Sequence, residues 1–111
     1  MIKLVEIMKR KEGLTHEEFT RHWEEVHGPL VAKMVPGVRR YVQSHAAKLS
    51  GGGDPPIDGI AEVWFDDIAS WRESVKWHRS DKGKVLRDDE DTFLDMSKMV
   101  HFVAEEKVIV E

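Results

Sequence analysis

The stretch that decides the fold is THEEFTRHWEEVHGPL, residues 15–30. Its apolar positions repeat with the i, i+4, i+7, i+11 spacing of one helical face: Phe19, Trp23, Val26 and Leu30. At about 100° per residue, His27 falls on the edge of this apolar stripe, one turn beyond Trp23. The stretch therefore predicts an amphipathic helix that holds an imidazole beside the core.

Both ends of this helix carry local signals. Thr15, followed three residues later by Glu18, is the pattern of a capping box and predicts the start. Gly28 and Pro29 predict the end, because glycine tolerates left-handed dihedrals and proline cannot continue the hydrogen-bond ladder. We therefore expect His27 at the C-terminus of the helix.

The composition is that of one small domain. The chain has 111 residues, no cysteine and a net charge of −4 with both signs mixed along it, so we expect a single domain over residues 1–111. The lack of cysteine excludes thiol catalysis and thiolate metal sites. The charge balance argues against a nucleic-acid surface, and no apolar run is long enough for a membrane span. A cytoplasmic protein is the default expectation.

Alternating apolar and polar residues predict four strands, and helical spacing predicts a second helix. The expected strands are Ile2–Lys9, Val38–His45, Asp58–Phe65 and Val100–Val108. The second helix is expected to begin after Asp66 or Asp67. Residues 77–91 are ambiguous, with a short helix expected around Gly83–Arg87. A flexible glycine-rich connection is expected at Lys48–Pro56.

The order β-α-β-β-α-β is the split βαβ pattern of an α+β, ferredoxin-like domain. Two right-handed crossovers give a four-stranded antiparallel sheet in the order 4-1-3-2, with both helices on one face. The other face would be bare and is expected to carry Leu4, Met8, Ile60 and Trp64. A bare apolar face of about 400 Å² usually marks an interface, so we expect a homodimer that closes two sheets together. The space between sheet and helices is then a candidate pocket for a small molecule.

In several ordered segments the chain resembles the EthD family. The matching segments are Lys9-Arg10-Lys11-Glu12-Gly13, Glu18-Phe19, His22-Trp23, His27-Gly28-Pro29-Leu30, Pro36-Gly37-Val38-Arg39-Arg40-Tyr41-Val42, Asp89-Glu90-Asp91-Thr92-Phe93-Leu94-Asp95 and Glu105-Glu106-Lys107-Val108-Ile109. The resemblance implies a dimeric α+β barrel. Similar proteins include cofactor-free isomerases of methyl-substituted muconolactones and fungal polyketide-tailoring decarboxylases or dehydratases. It therefore implies a small enzyme that needs no cofactor.

His27 is the leading candidate for catalysis. A neutral imidazole near pH 7 suits a general base or acid for proton transfer beside a carbonyl. The alternative is a helix-end histidine that bonds the last carbonyls and interacts favourably with the helix dipole.

Tyr41, Gln43 and His45 share one face of the second strand. If that face lines the pocket, the phenol of Tyr41 can polarise a substrate oxygen or act as a general acid, with Gln43 and His45 binding the substrate. The alternative for Tyr41 is a ring packed at the sheet edge with its hydroxyl in solvent.

Glu6 and Glu62 lie within strands that should be adjacent. Two close carboxylates repel, so one pKa should rise, and Glu62 is therefore a further catalytic candidate. The alternatives are pairing with Arg39 or Arg40, or a register that sends both carboxylates to the dimer seam.

The aromatic residues are expected mainly in the core, with some lining the pocket and favouring a flat or cyclic apolar ligand. The candidates for substrate binding are Phe19, Trp23, Trp64 and Phe93. The histidines do not converge on a metal site: His22 and His27 are five residues apart, which does not bring them together as a spacing of four would.

Two functions of different class remain open. One is a cofactor-independent enzyme that acts by proton transfer on a cyclic or aromatic carbonyl compound, as an isomerase, a decarboxylase or an oxygenase. The other is a non-catalytic dimer that binds a small molecule or serves in a stress response.

Overall fold

In the computed structural model, which describes residues 1–49 and 51–111, the centre of the molecule is an antiparallel sheet of four strands. The strands are β1 (Ile2–Met8), β2 (Arg40–His45), β3 (Gly59–Phe65) and β4 (Val100–Ala104). Their order across the sheet is β2-β3-β1-β4, which confirms the predicted α+β, ferredoxin-like topology. The last strand is shorter than expected and ends at Ala104 instead of Val108.

Helices fill both crossovers. The first crossover contains α1 (His16–His22), a π-helical segment (Trp23–His27) and α2 (Gly28–Met34). The second contains α3 (Ile68–Arg79), a 3₁₀ turn (Asp81–Gly83), α4 (Lys84–Phe93) and a further 3₁₀ turn (Met96–Lys98). Asp67 caps α3 by accepting a hydrogen bond from the backbone of Ser70. The ambiguous segment therefore forms a full helix, longer than the short one expected around Gly83–Arg87.

The first crossover begins as predicted and continues further than predicted. Thr15 and Glu18 form the capping box, with each side chain accepting from the other residue's backbone N–H. The expected end at Gly28 and Pro29 is wrong, because the helical path continues to Met34. Proline is tolerated there since it occupies the first turn of α2, where a missing N–H costs little.

The π-helical segment changes which side chains face the sheet. The buried residues are spaced by four: Phe19, Trp23, His27 and Val31. In an uninterrupted α-helix, each step of four residues is slightly more than one full turn, and three such steps exceed three full turns by roughly 120°. Val31 would then leave the helix face that carries Phe19. The wider π turn removes this drift. Val26, expected in the apolar stripe, is 43 % exposed, and His27 takes the inward position instead.

The pairing register decides which strand residues lie beneath the helices. Leu4 pairs with Val63, and Met8 pairs with Gly59, so both share the helix-covered face with Ala61 and Phe65. Met8 is 2 % exposed and packs in the main core cluster. The expectation that Leu4 and Met8 lie on the bare face is therefore wrong. Ile60 and Trp64 do lie on the uncovered face, as predicted.

A buried carboxylate ties the ends of three elements together. Asp58, fully buried before β3, accepts hydrogen bonds from the Arg10 backbone and side chain and faces Nδ1 of His16 at 2.6 Å. Nε2 of His16 in turn faces the carbonyl of Ala46 at 2.8 Å. Burial alone would raise the pKa of Asp58, but the hydrogen bonds from His16 and Arg10 outweigh it and lower that pKa. The expected connection at Lys48–Pro56 lies beside this cluster, and its residue 50 is outside the described residues.

The close approach of the first crossover to β3 yields a stability prediction. A Cβ added at Gly59 would lie 2.4 Å from the ring of Trp23 and 2.7 Å from the carbonyl oxygen of Ser44. Gly59→Ala should therefore lower the free energy of unfolding by about 1–3 kcal/mol, measured by urea denaturation. At Gly53 an added Cβ would meet nothing within 4 Å, so Gly53→Ala is the matched control and should not destabilise. Equal stability of the two variants would contradict this packing.

Candidate functional site

His27 is held inside the molecule by α4. Its side chain is 4 % exposed, and Nδ1 lies 2.9 Å from one carboxylate oxygen of Asp89. The other oxygen of Asp89 lies 2.8 Å from Nε2 of His22. The ring of Phe93, one turn further along α4, packs against the imidazole with centroids 4.9 Å apart. A single carboxylate on α4 therefore orients the imidazole that the π-helical segment turns inward.

This geometry makes His27 a base at neutral pH. A carboxylate can only accept a hydrogen bond, so Nδ1 carries the proton and Nε2 holds the lone pair of the neutral ring. Burial lowers the pKa of His27 below its usual 6.5, and the hydrogen bond to Asp89 offsets only part of that effect. The ring is therefore neutral at pH 7.

The basic nitrogen of His27 is left without a hydrogen-bond partner among the described residues. Within residues 1–49 and 51–111, Nε1 of Trp23 is the one buried side-chain nitrogen or oxygen without a hydrogen-bond partner. Nε2 of His27 has no partner in this part of the chain either, so it must keep some accessible surface. The small exposed part of the ring thus includes the atom that can accept a proton.

Tyr41, Gln43 and His45 extend the site along β2. The register places them on the helix-covered face, opposite Val63, Ala61 and Gly59 respectively. The amide nitrogen of Gln43 donates to the Tyr41 hydroxyl oxygen and to the carbonyl of Trp23, both at 2.9 Å. Its amide oxygen faces Nε2 of His45 at 2.8 Å.

Gln43 also links Tyr41 to the neighbourhood of His27. A Cβ on Gly28, the residue after His27, would lie 2.9 Å from the Gln43 amide nitrogen, so these groups touch. Because the Tyr41 oxygen accepts from Gln43, its own proton remains available to donate. Burial raises the pKa of Tyr41, with a smaller opposing effect from Gln43, so the phenol stays protonated at neutral pH. The structure thus brings a base and a hydrogen-bond donor to one region.

The predicted pairing of Glu6 with Glu62 is wrong. Glu6 pairs with Ala61 on the helix-covered face, whereas Glu62 pairs with Val5 on the uncovered face. Glu62 is instead 2.5 Å from Nζ of Lys3. Consecutive residues of a strand point to opposite faces of the sheet, and Glu62 follows Ala61, which shares the face of Glu6. Glu62 therefore does not lie with His27 and Tyr41.

Glu6 itself has a strongly altered acidity. Burial, followed by the charge of Glu90, raises the pKa of Glu6 to about 7, and the charge of His78 opposes this. His78 and Glu90 form an ion pair across α3 and α4, with Nε2 and Oε1 2.7 Å apart. The hydrogen bond to Glu90 raises the pKa of His78.

Asp89, Glu90 and His78 were not predicted as site residues. Asp89 and Glu90 belong to the DE motif that carries the family resemblance, and both are half-buried despite their charge. Adjacent acidic residues on an amphipathic helix are usually solvated, so their sequence alone gives no sign that one meets His27 and the other His78.

The four aromatic candidates separate into two places. Phe19, Trp23 and Phe93 lie beneath the helices. The centroid of the Phe19 ring lies 5.6 Å from that of Trp23 and 5.3 Å from that of Phe93. Trp23 also stacks on His45 at 4.4 Å. Trp64 lies on the uncovered face, between the cationic groups of Lys3 and Arg40, and does not join the region around His27.

Two surface depressions lie away from His27. One of about 280 Å³ follows the turn 9–14, and one of about 400 Å³ lies between the N-terminus and residues 105–107. Among the described residues, no group of three His, Asp or Glu side chains is arranged to hold a metal ion. No helix in the described part of the chain is long and apolar enough to cross a membrane.

The fold and the buried His–Asp pair define a small ferredoxin-like domain with a titratable site under its helices. The family model of the EthD domain matches residues 11–97 of the chain. The chain therefore belongs to the EthD family, as the sequence resemblance indicated.

Solved structures share this fold. An EthD family protein of Bacillus halodurans C-125 is 24 % identical with a TM-score of 0.71, covering 96 % of this chain and 99 % of that one. SnoaB of Streptomyces nogalater, a cofactor-independent oxygenase, is 12 % identical with a TM-score of 0.66, covering 99 % and 97 %. A dimeric protein of unknown function from Bacteroides fragilis NCTC 9343 is 10 % identical with a TM-score of 0.63, covering 95 % of each chain. No curated protein sequence matches the chain.

The environment of Glu6 predicts a pH-dependent change in stability. The pKa of Glu6 is about 7 in the fold against 4.5 without its surroundings, so the folded state loses stability as the pH rises from 4.5 through 7. Glutamine does not ionise, so Glu6→Gln should be more stable than the wild type by about 1–3 kcal/mol at pH 8, with little of this gain left at pH 4. Chemical denaturation at both pH values measures the difference.

Glu73→Gln is the matched control, because Glu73 is exposed on α3 and its one ion pair in the described part of the chain is with Lys76. It should show no comparable gain at pH 8. A Glu6→Gln variant less stable than the wild type at pH 8 would contradict the raised pKa.

Proposed function

We propose that this protein is a cofactor-independent enzyme that transfers a proton next to a carbonyl group of a cyclic or aromatic metabolite. The observation that carries the proposal is His27, an almost fully buried neutral imidazole whose Nδ1 is held by Asp89 and whose Nε2 has no hydrogen-bond partner among the described residues. A base of this kind needs a fixed orientation and a pKa near the working pH.

The proposed reaction uses His27 at one end of the site and Tyr41 at the other. Nε2 of His27 takes a proton from the carbon beside the carbonyl, and Asp89 stabilises the imidazolium that forms. The Tyr41 hydroxyl donates a hydrogen bond to the carbonyl oxygen as negative charge develops there. Isomerisation, decarboxylation and reaction of a carbanion with oxygen all require stabilisation of such a charge. SnoaB has the same fold and is a cofactor-independent oxygenase, which supports the proposal that the reaction here needs no cofactor.

The walls of the site suit a flat, apolar ligand. Aromatic rings lie below the helices at Phe19, Trp23 and Phe93, each at most 1 % exposed, and Gln43 and His45 supply polar groups along β2. A few convergent polar groups in an aromatic pocket are typical of small-molecule sites. In this proposal Glu62 and Trp64 have no contact with the substrate.

We also propose that two copies pair through the uncovered face of the sheet. This face carries apolar side chains from all four strands: Val5, Ile7, Val42, Ile60, Val100 and Phe102. Phe102 is 49 % exposed and Val100 is 54 % exposed, which is unfavourable for a sheet face left in water. The Bacteroides fragilis protein of the same fold is dimeric, which supports the pairing of two copies.

A second function is favoured by the dense packing near His27. Phe19, Trp23 and Phe93 contact one another and fill much of the space between helices and sheet. A site filled by the chain's own side chains would suit a non-catalytic dimer that binds a small molecule or a stress-response partner. Turnover decides between the two functions.

The catalytic proposal predicts loss of proton exchange when His27 is replaced. Unsaturated lactones, anthrones and cyclohexenones are incubated with the protein in D₂O, and NMR follows deuterium uptake at the carbon beside the carbonyl. His27→Gln should reduce the exchange rate by about 10²–10⁴-fold because the base is removed. Asp89→Asn should reduce it by about tenfold or more, because an amide can turn its N–H toward Nδ1 and impose the wrong tautomer.

Asp88→Asn is the matched control, since Asp88 is exposed on the same helix and, among the described residues, pairs only with Lys84. Its rate should equal that of the wild type. Ligand binding, seen as a thermal shift, without any exchange by the wild type would favour the non-catalytic function.

The dimer predicts a concentration-dependent sedimentation profile. Phe102→Glu places a charge in the proposed interface and should convert the wild-type dimer to a monomer at micromolar concentration in analytical ultracentrifugation. Val85→Glu is the matched control, because Val85 is similarly exposed, at 53 %, but lies on α4. A wild-type protein that sediments as a monomer would overturn the pairing.

A further inference from the structure

We infer that Glu6 is a second catalytic residue of this site, a carboxylic acid that protonates the substrate oxygen while His27 removes the proton from carbon. The inference rests on the proposed function and adds to it the group that neutralises the developing oxyanion.

The position of Glu6 places it opposite the β2 residues of the site. It lies in the middle of β1, beside Ala61 on β3, and Ala61 is in turn beside Gln43 on β2. In this row across the sheet, the methyl group of Ala61 is the one side chain that lies between Glu6 and Gln43. Glu6 and Gln43 are therefore two strand spacings apart, on the order of 10 Å. Glu6 and Gln43 therefore lie on either side of Ala61, on the sheet face that the helices cover.

The carboxyl of Glu6 has no structural partner in the described part of the chain. The carboxyl oxygens of Glu6 make no hydrogen bond there. Fully buried oxygens without a partner would be orphaned like Nε1 of Trp23, and those of Glu6 are not, so they keep some accessible surface. The cationic neighbours on its own strand, Lys3 and Lys9, lie on the opposite face by alternation. A carboxylate on a central strand costs stability without compensation, and such local conflicts occur mainly at functional sites.

Four other elements carry a titratable group near Glu6, whereas β3 presents Ala61. Burial, followed by the charge of Glu90 on α4, raises the pKa of Glu6, and His78 on α3 opposes this. Tyr41 on β2 is electrostatically coupled to it. His101 on β4 is its pairing neighbour, and His27 is coupled to the same Glu90.

With a pKa of about 7, Glu6 is partly protonated at neutral pH and can give and regain a proton. A carboxyl group kept neutral in a poorly solvated site is a strong hydrogen-bond donor, and a tyrosine beside it can share the same substrate oxygen.

The step balances without a co-reactant. The C–H bond breaks, its proton goes to Nε2 of His27, and its electron pair forms the C=C bond of an enol as the carbonyl π pair moves to oxygen. The proton of Glu6 joins that oxygen, leaving a carboxylate and an imidazolium. In the return step the imidazolium protonates the same carbon or one conjugated with it, and the enol proton returns to Glu6. The sum is a tautomerisation or an isomerisation.

The test is the pH profile of deuterium exchange at the carbon beside the carbonyl, for the compounds used above. The wild-type rate should rise as His27 loses its proton below pH 6.5 and fall as Glu6 loses its proton near pH 7. Glu6→Gln should lower the maximum rate by about 10²-fold or more and abolish the fall near pH 7, since an amide cannot give up a proton. Glu6→Asp should keep the fall and restore part of the rate.

Glu73→Gln serves again as the control and should leave both the rate and the profile unchanged. Since Glu6→Gln is expected to be more stable than the wild type at pH 8, loss of rate would not reflect unfolding. A Glu6→Gln variant with the wild-type rate and profile would overturn the role of Glu6 and leave His27 as the base. Wild-type exchange that His27→Gln does not reduce would overturn the proposed function instead, and the role of Glu6 with it.

Discussion

The widened helical turn at Trp23–His27 is the constraint on which the site depends. It keeps residues spaced by four on one face, so that Trp23 reaches the backbone of Gly59, His27 reaches Asp89, and Gly28 meets Gln43. An uninterrupted α-helix would rotate His27 away from Asp89 as the chain advances. Because π-type turns weaken regular hydrogen bonding, they persist where side-chain contacts compensate. Here the compensating contacts are those that assemble the site.

The topology and the helix start could be predicted because their signals are local. The capping box at Thr15 needs only four residues, and the alternation of strands with helices indicates the crossovers. The faces of β1 could not be assigned in the same way. Leu4, Met8 and Glu6 share one face, while Val5 and Ile7 on the other are also apolar, so alternation alone does not tell which side the helices cover. The incorrect pairing of Glu6 with Glu62 follows from this ambiguity.

The site was predicted only in part, for a related reason. His27 and Tyr41 were singled out by residue type and position, but Asp89 meets His27 across 62 positions of sequence, and such a contact has no local signature. The Gly28–Pro29 pair even gave a misleading signal, since it usually ends a helix and here begins α2. A pattern of four-residue spacing through His27 and Val31 was present in the sequence, and it is the observation that could have revealed the π turn.

Two carboxylates of this chain show how the fold treats buried charge in two different ways. Asp58 is fully buried, but His16 and Arg10 surround it and its pKa falls, so its charge stabilises the junction of three elements. Glu6 has no such partner among the described residues, and its raised pKa corresponds to a cost of as much as about 3 kcal/mol when it ionises. Glutamine or leucine in its place would avoid that cost. A carboxyl that the fold destabilises, on the sheet face beneath the helices, is therefore explained better by proton transfer than by architecture.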